Sequence, residues 1–253
     1  MVTVGKIYDA INEFAPFSEQ MDFDNAGLLV GSKNDSVTKV LLALDITAET
    51  VKEAQQMGAE LILSHHPVIF HPLKKLASNS VPYMLARSGI SAICAHTNLD
   101  FAKGGVNSCL ADVLEIEEQE NMFSENIPQG IVGNVKEERT PKEFAEHVKK
   151  KLGACSVVYT DGEKSIRRVA VCGGAGEELL FEAIEAGADA FVTGESKHHL
   201  LLAAKEMGIT MVIAGHYASE QVVLAPLCEK LGKQFPEIEF TVSKTEKEVI
   251  YSV

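Results

Sequence analysis

The sequence predicts an α/β protein, and three observations carry that prediction. A helix-like segment, a glycine and a short strand recur four times. Gly58 leads through AELILS to His65, Gly89 through ISAICA to His96, Gly187 through ADAFVTG to Glu195, and Gly208 through ITMVIAG to His216. The strands are near-continuous apolar runs, as expected of strands covered on both faces. Each run is followed by a His or a Glu, placing polar chemistry at the carboxyl edge of a sheet, where open α/β sheets bind ligands.

The opening residues Val4, Ile7, Ile11 and Phe14 share helical spacing and predict an amphipathic helix ending before Pro16. Met21 to Gly27 reads as a polar turn, Leu28 to Val30 as a short strand, and Val40 to Asp45 as a buried strand ending in a carboxylate. Thr47 is an N-cap for a helix that stops at Gly58. The strand before His65 and His66 follows, then an irregular stretch to about Asn79, a helix ending near Gly89, and the strand Ile90 to Ala95. Val106 to Leu114 reads as a helix, and Glu115 to Glu125 as an acidic stretch without clear pattern.

The second half restarts with a strand around Ile131 to Val135. Thr140-Pro141-Lys142-Glu143 combines a capping box with proline at the first helical position, so a helix begins there and runs to Gly153. Ser156 to Tyr159 and Val169 to Cys172 read as strands. Tyr217 to Leu231 reads as one helix, and Ile238 to Val242 with Val249 to Tyr251 as a closing strand pair.

At 253 residues the chain has the length of one large domain or two ordinary ones. The acidic stretch places a boundary that gives domains 1–124 and 125–253, with the C-terminal part free to pack back on the first. Hydrophobic residues at 46% and charged residues at 23% are those of a soluble globular protein. No apolar run approaches the roughly 20 residues that span a bilayer, and the N-terminus has no signal-peptide pattern. The five cysteines are scattered without a CxxC pair, which points to free thiols in a reducing cytoplasm. A formal net charge of −13 argues against an extensive nucleic-acid surface.

Five residues have the character of metal ligands: His65, His66, Asp100, His216 and Glu220. His216 and Glu220 lie four apart, on one face of a helix that begins just after a strand. His65 and His66 can share a direction only where the backbone turns at a strand end. Five ligands exceed one tetrahedral site, and a carboxylate can bridge two ions. The donors are N and O, which admits zinc, iron or manganese. Gly173 to Gly176 lacks the Lys and Ser/Thr of a phosphate loop and reads as an ordinary strand-to-helix turn. His71 and His147 are assigned to surface or structure.

The stretches DNAGLLVG (24–31), SHHPVIF (64–70), AHTNLD (95–100), TGESKHH (193–199) and GHYASE (215–220) together resemble the Nif-three-like dinuclear-metal family, also labelled GTP cyclohydrolase I type 2 homologs. The resemblance spans nearly the whole chain. It implies the same five ligands, two interlinked α/β domains with mixed sheets flanked by helices, a metal site in the cleft between them, and a homohexamer. The chain departs from the family at Phe23, where Trp is frequent, and at Val106-Asn107-Ser108, where an acidic residue is frequent. It also lacks the inserted domain of longer members. The resulting expectation is a metal-dependent hydrolase acting on a nucleotide or related heterocycle, with two divalent ions per chain and His96 and Glu195 moving protons. A metal-dependent phosphoesterase and a non-catalytic metal-binding regulatory protein use the same ligands and stay open.

Overall fold

The four glycines that punctuate the sequence all adopt positive φ, at 71° for Gly58, 66° for Gly89, 75° for Gly187 and 68° for Gly208. This left-handed cap ends each helix and turns the chain directly into the next strand. A computed structural model describes residues 1–253. In chain order the elements are α1 (Val4–Phe14), β1 (Gly27–Val30), β2 (Lys39–Ala43), α2 (Ala48–Met57), β3 (Leu61–Ser64), α3 (Val81–Ser88), β4 (Ser91–Cys94), α4 (Thr97–Phe101) and α5 (Val106–Val113). There follow β5 (Ile116–Ser124), β6 (Ile127–Arg139), α6 (Pro141–Leu152), β7 (Val158–Tyr159), β8 (Ile166–Cys172), α7 (Leu180–Glu185), β9 (Ala190–Thr193), α8 (His198–Met207), β10 (Thr210–Ile213), α9 (His216–Glu220), α10 (Leu224–Gln234) and β11 (Glu239–Val242).

These elements divide into two units. The first comprises Met1–Lys103 with Leu224–Lys247, the second Gly104–Val223 with Glu248–Val253. The boundary expected near residue 124 thus falls at the end of β5, inside the second unit.

The first unit holds a five-stranded sheet of order β1-β4-β3-β2-β11, parallel except for the β1–β4 pair. Its central strands β3 and β4 are buried along their whole length, which is why they read as continuous apolar runs rather than alternating ones. Leu41 and Ile62 pack on Val51, Ala54 and Leu85 from α2 and α3. Each such fully buried Leu, Ile or Val side chain is worth about 1.5–3 kcal/mol. Thr47 caps α2 through a capping box with Thr50.

The second unit holds a six-stranded sheet of order β5-β6-β8-β9-β10-β7, with β8, β9 and β10 parallel and the outer pairs antiparallel. Alternation along its strands builds a core on each face. Val169, Val171, Ala190 and Val192 face Phe144, Val148 and Leu110. Ala170 and Phe191 face the other way, onto Leu180, Leu200 and Met211. The capping box at Thr140 and Glu143 forms as expected, with Gly153 closing α6.

Three local expectations are corrected. The acidic stretch is a strand, β5, at the edge of the second sheet. Only Ile116 and Met122 of β5 are buried, and Glu118 at φ 52° interrupts the register, so neither periodicity shows. The single helix expected over 217–231 is α9 and α10 joined by a 3-10 turn at Gln221–Val223. Pro226 has no N–H to donate, and the break places it in the first turn of α10, where none is needed. The closing strand pair does not form: β11 joins β2 in parallel, and Val249, Ile250 and Tyr251 are exposed and outside any strand.

Candidate metal centre

In the first unit, the chain leaving β2, β3 and β4 delivers Asp45, His65 with His66, and His96 to the carboxyl edge of the parallel strands. Beyond β3 the backbone bends while His65 and His66 still donate their N–H groups to Ala43 and Leu44. The ligand atoms of His65, His66 and His96 come within 4.8 Å of one another. The bend is what lets adjacent histidines converge, as a regular strand forbids.

Each of these imidazoles is held by its Nδ1. His65, only 1% exposed, bonds the Ala95 carbonyl at 2.9 Å. His66 bonds Asp45 at 2.9 Å, and His96 bonds Asp24 at 2.8 Å. Carbonyls and carboxylates only accept, so Nδ1 carries a proton in each ring. His65 Nε2 lies 3.5 Å from Asp100 Oδ1, which α4 contributes.

Asp24 also accepts from the Thr97 backbone at 3.0 Å and its hydroxyl at 2.6 Å. Burial works to raise the Asp24 carboxyl, but the hydrogen bonds from His96 and Thr97 outweigh it and bring it down to about 2. Cys94, beneath the cluster, donates its thiol to the His65 carbonyl at 2.9 Å. Burial, helped by Asp24 and Asp100, pushes that thiol well above its ordinary value.

In the second unit, His216 and Glu220 open and close α9, with His216 Nε2 3.0 Å from Glu220 Oε2. His216 Nδ1 bonds Glu195 Oε1 at 2.6 Å, so the residue leaving β9 orients the one leaving β10. Gly173 to Gly176 is a turn, as expected, but it does more. The Gly174 carbonyl accepts from Gly194 and Glu195, and its N–H donates to Ser219 Oγ at 3.0 Å. Gly174 has φ +61°, and a Cβ there would sit 2.1 Å from Glu220 Oε1. Asn107 steadies the same turn, accepting from the Gly173 N–H at 2.9 Å and donating to the Gln129 carbonyl at 3.0 Å.

The structure brings His65, His66, His96 and Asp100 together in the first unit, and His216, Glu220 and Glu195 together in the second. The roles of Asp24, Asp45, Gly174 and Asn107 were not legible from local pattern. His71, His198 and His199 are exposed and outside these groups. His147 packs against the Leu114 carbonyl at 3.4 Å, and burial pushes its pKa down, as for a structural histidine.

Parallel strands presenting imidazoles at one edge, each locked by an acceptor on Nδ1, define a class of α/β proteins with metal-type donor sets. The chain belongs to the Duf34/NIF3 (NGG1p interacting factor 3) family, whose model matches residues 2–249. A protein of Clostridium perfringens named "GTP cyclohydrolase 1 type 2 homolog" is 34% identical over 252 residues, covering 96% of each chain. One of the same name from Clostridium acetobutylicum is 31% identical over 238 residues, covering 90% of this chain and 89% of that one. The solved structure of a Staphylococcus aureus hypothetical protein matches with a TM-score of 0.93 at 28% identity, over 100% of this chain and 99% of that one. No helix of the chain is long and apolar enough to cross a membrane.

Proposed function

We propose that this chain is a metal-dependent hydrolase that binds two divalent ions and acts on a nucleotide or a related heterocycle. The proposed ligands are His65, His66 and Asp100 in the first unit, and His216 and Glu220 in the second. One observation carries the reading. His65 and His216 each have Nδ1 engaged with an acceptor, while Nε2 faces a carboxylate oxygen at 3.5 Å and 3.0 Å. An imidazole nitrogen this close to a carboxylate oxygen calls for a proton or a cation between them. The repeated arrangement fits divalent ions, and its N and O donors suit zinc, iron or manganese.

Bound divalent ions supply Lewis acidity and lower the pKa of water. The chain's own residues do the rest. Asp24 fixes the His96 proton on Nδ1, leaving His96 Nε2 to accept a proton from water and return it to the leaving group. Glu195 holds His216 in register, and its half-exposed carboxylate is the second proton acceptor. The relatives' names contain GTP cyclohydrolase, which points to hydrolysis at C8 of a guanine ring as the reaction class.

The test is turnover of a nucleotide panel by metal-reconstituted protein. Ring-opened product supports the reading. Released phosphate replaces it with a phosphoesterase, and tight metal binding without turnover with a regulatory metal-binding role. The family resemblance also supports assembly as a homohexamer, which light scattering tests against the 27.4 kDa chain mass.

A further inference from the structure

Phe23 and Phe70 are large apolar side chains left 61% and 38% exposed beside the histidine cluster of the first unit. A single exposed phenylalanine is ordinary. These two form part of a run of rings that starts at the histidines. The His96 ring centre lies 5.1 Å from that of His65 and 5.6 Å from that of His66. The Phe70 ring is 6.4 Å from His96, and Phe23 is a further 6.4 Å from Phe70. The two phenylalanines are tilted by 41° rather than stacked on each other, and the His71 ring meets Phe70 edge-on at 4.8 Å.

Both rings are anchored. Phe23-Asp24-Asn25 is one continuous tripeptide with three tasks. Phe23 supplies a ring, Asp24 locks His96 and Thr97, and the Asn25 side chain donates to the Ile69 carbonyl at 2.6 Å. That last bond ties down the irregular segment bearing Phe70. The tripeptide that holds the His96 ring therefore also carries Phe23 and ties down the backbone next to Phe70.

We propose that Phe23 and Phe70 form the subsite that stacks the planar ring of the substrate, a purine-like heterocycle, beside His96. The proposal rests on the reading of this site as one for a nucleotide. Stacking recognises any flat π-face and needs no hydrogen bond, so this subsite selects for a heterocycle without choosing the base. It gives a reason for apolar rings in water beside a polar site, where burial against a ligand face would recover their apolar area.

The chain contains no tryptophan, so Phe23→Trp installs a single indole reporter. Metal-loaded full-length protein is titrated with guanosine 5′-monophosphate, and with ribose 5-phosphate as the ring-free control. The expected result is indole quenching by the nucleotide and none by the sugar phosphate. By calorimetry, Phe23→Leu and Phe70→Leu should each weaken nucleotide binding about tenfold, with ribose 5-phosphate affinity and metal content unchanged. Phe70→Tyr, which keeps the ring, should bind as the wild type. Wild-type affinity in both leucine variants, or no quenching by purine and pyrimidine monophosphates alike, overturns the proposal. Metal analysis of the same samples separates the two readings: quenching with the centre empty of metal overturns the metal reading and supports the stacking subsite.

Discussion

The two units present metal-type donors in different ways. In the first, three imidazoles leave the ends of buried parallel strands, and His65 is only 1% exposed. In the second, the His216 side chain is 34% exposed and rides with Glu220 on the short helix α9. The first group is fixed by strands and by acceptors such as the Ala95 carbonyl, which cannot move without moving the sheet. The second is fixed by a glycine turn whose backbone closes against the carboxylate. The first group is set by strand ends, whereas the second leaves no room for a side chain at Gly174 without displacing Glu220.

The largest expected effect comes from breaking that second support. Gly174→Ala places a methyl against Glu220 Oε1 at a backbone φ of +61°. It should cost about 1–3 kcal/mol in urea denaturation and reduce metal content. A variant with wild-type stability and full metal loading would remove the contrast between the two groups.

Asp24→Asn probes the first unit. A carboxyl brought from 3.8 to about 2 corresponds to about 2 kcal/mol of stability at neutral pH. Because the folded-state value is the lower one, this contribution is complete above about pH 4 and is lost as pH falls through about 2. The stability gap between wild type and Asp24→Asn should therefore be widest at neutral pH and close in strong acid. A gap that widened on acidification would contradict the assignment.

Glu195→Gln is the milder counterpart in the second unit. Its carboxylate is half exposed, so the stability change should stay under about 1 kcal/mol. Metal affinity, however, should drop by about tenfold, since Glu195 orients His216. An unchanged affinity would show that His216 needs no such partner.

Much of this was legible in the sequence because the determinants are local. Glycine caps, the N-cap Thr47, the capping box at Thr140 and unbroken apolar strands announce themselves within a few residues. The His216–Glu220 pair followed from helical spacing alone. The supports of the histidines did not, because their partners are remote in the chain. Asp24 meets His96 across 72 positions, and Asp45 meets His66 across 21. β5 was hidden for another reason: an edge strand with an exposed face and a residue at positive φ shows no period to read.

The proposed function depends on two divalent ions per chain, with His65, His66 and Asp100 of the first unit and His216 and Glu220 of the second as the proposed ligands. Elemental analysis of protein purified and loaded without chelator, normalised to chain concentration, tests it most directly. The account predicts two transition-metal ions per chain at saturation, falling on Glu220→Gln because the amide lacks the carboxylate charge that would hold a cation. A wild-type stoichiometry that saturates at one ion, or Glu220→Gln protein that keeps two, would contradict it.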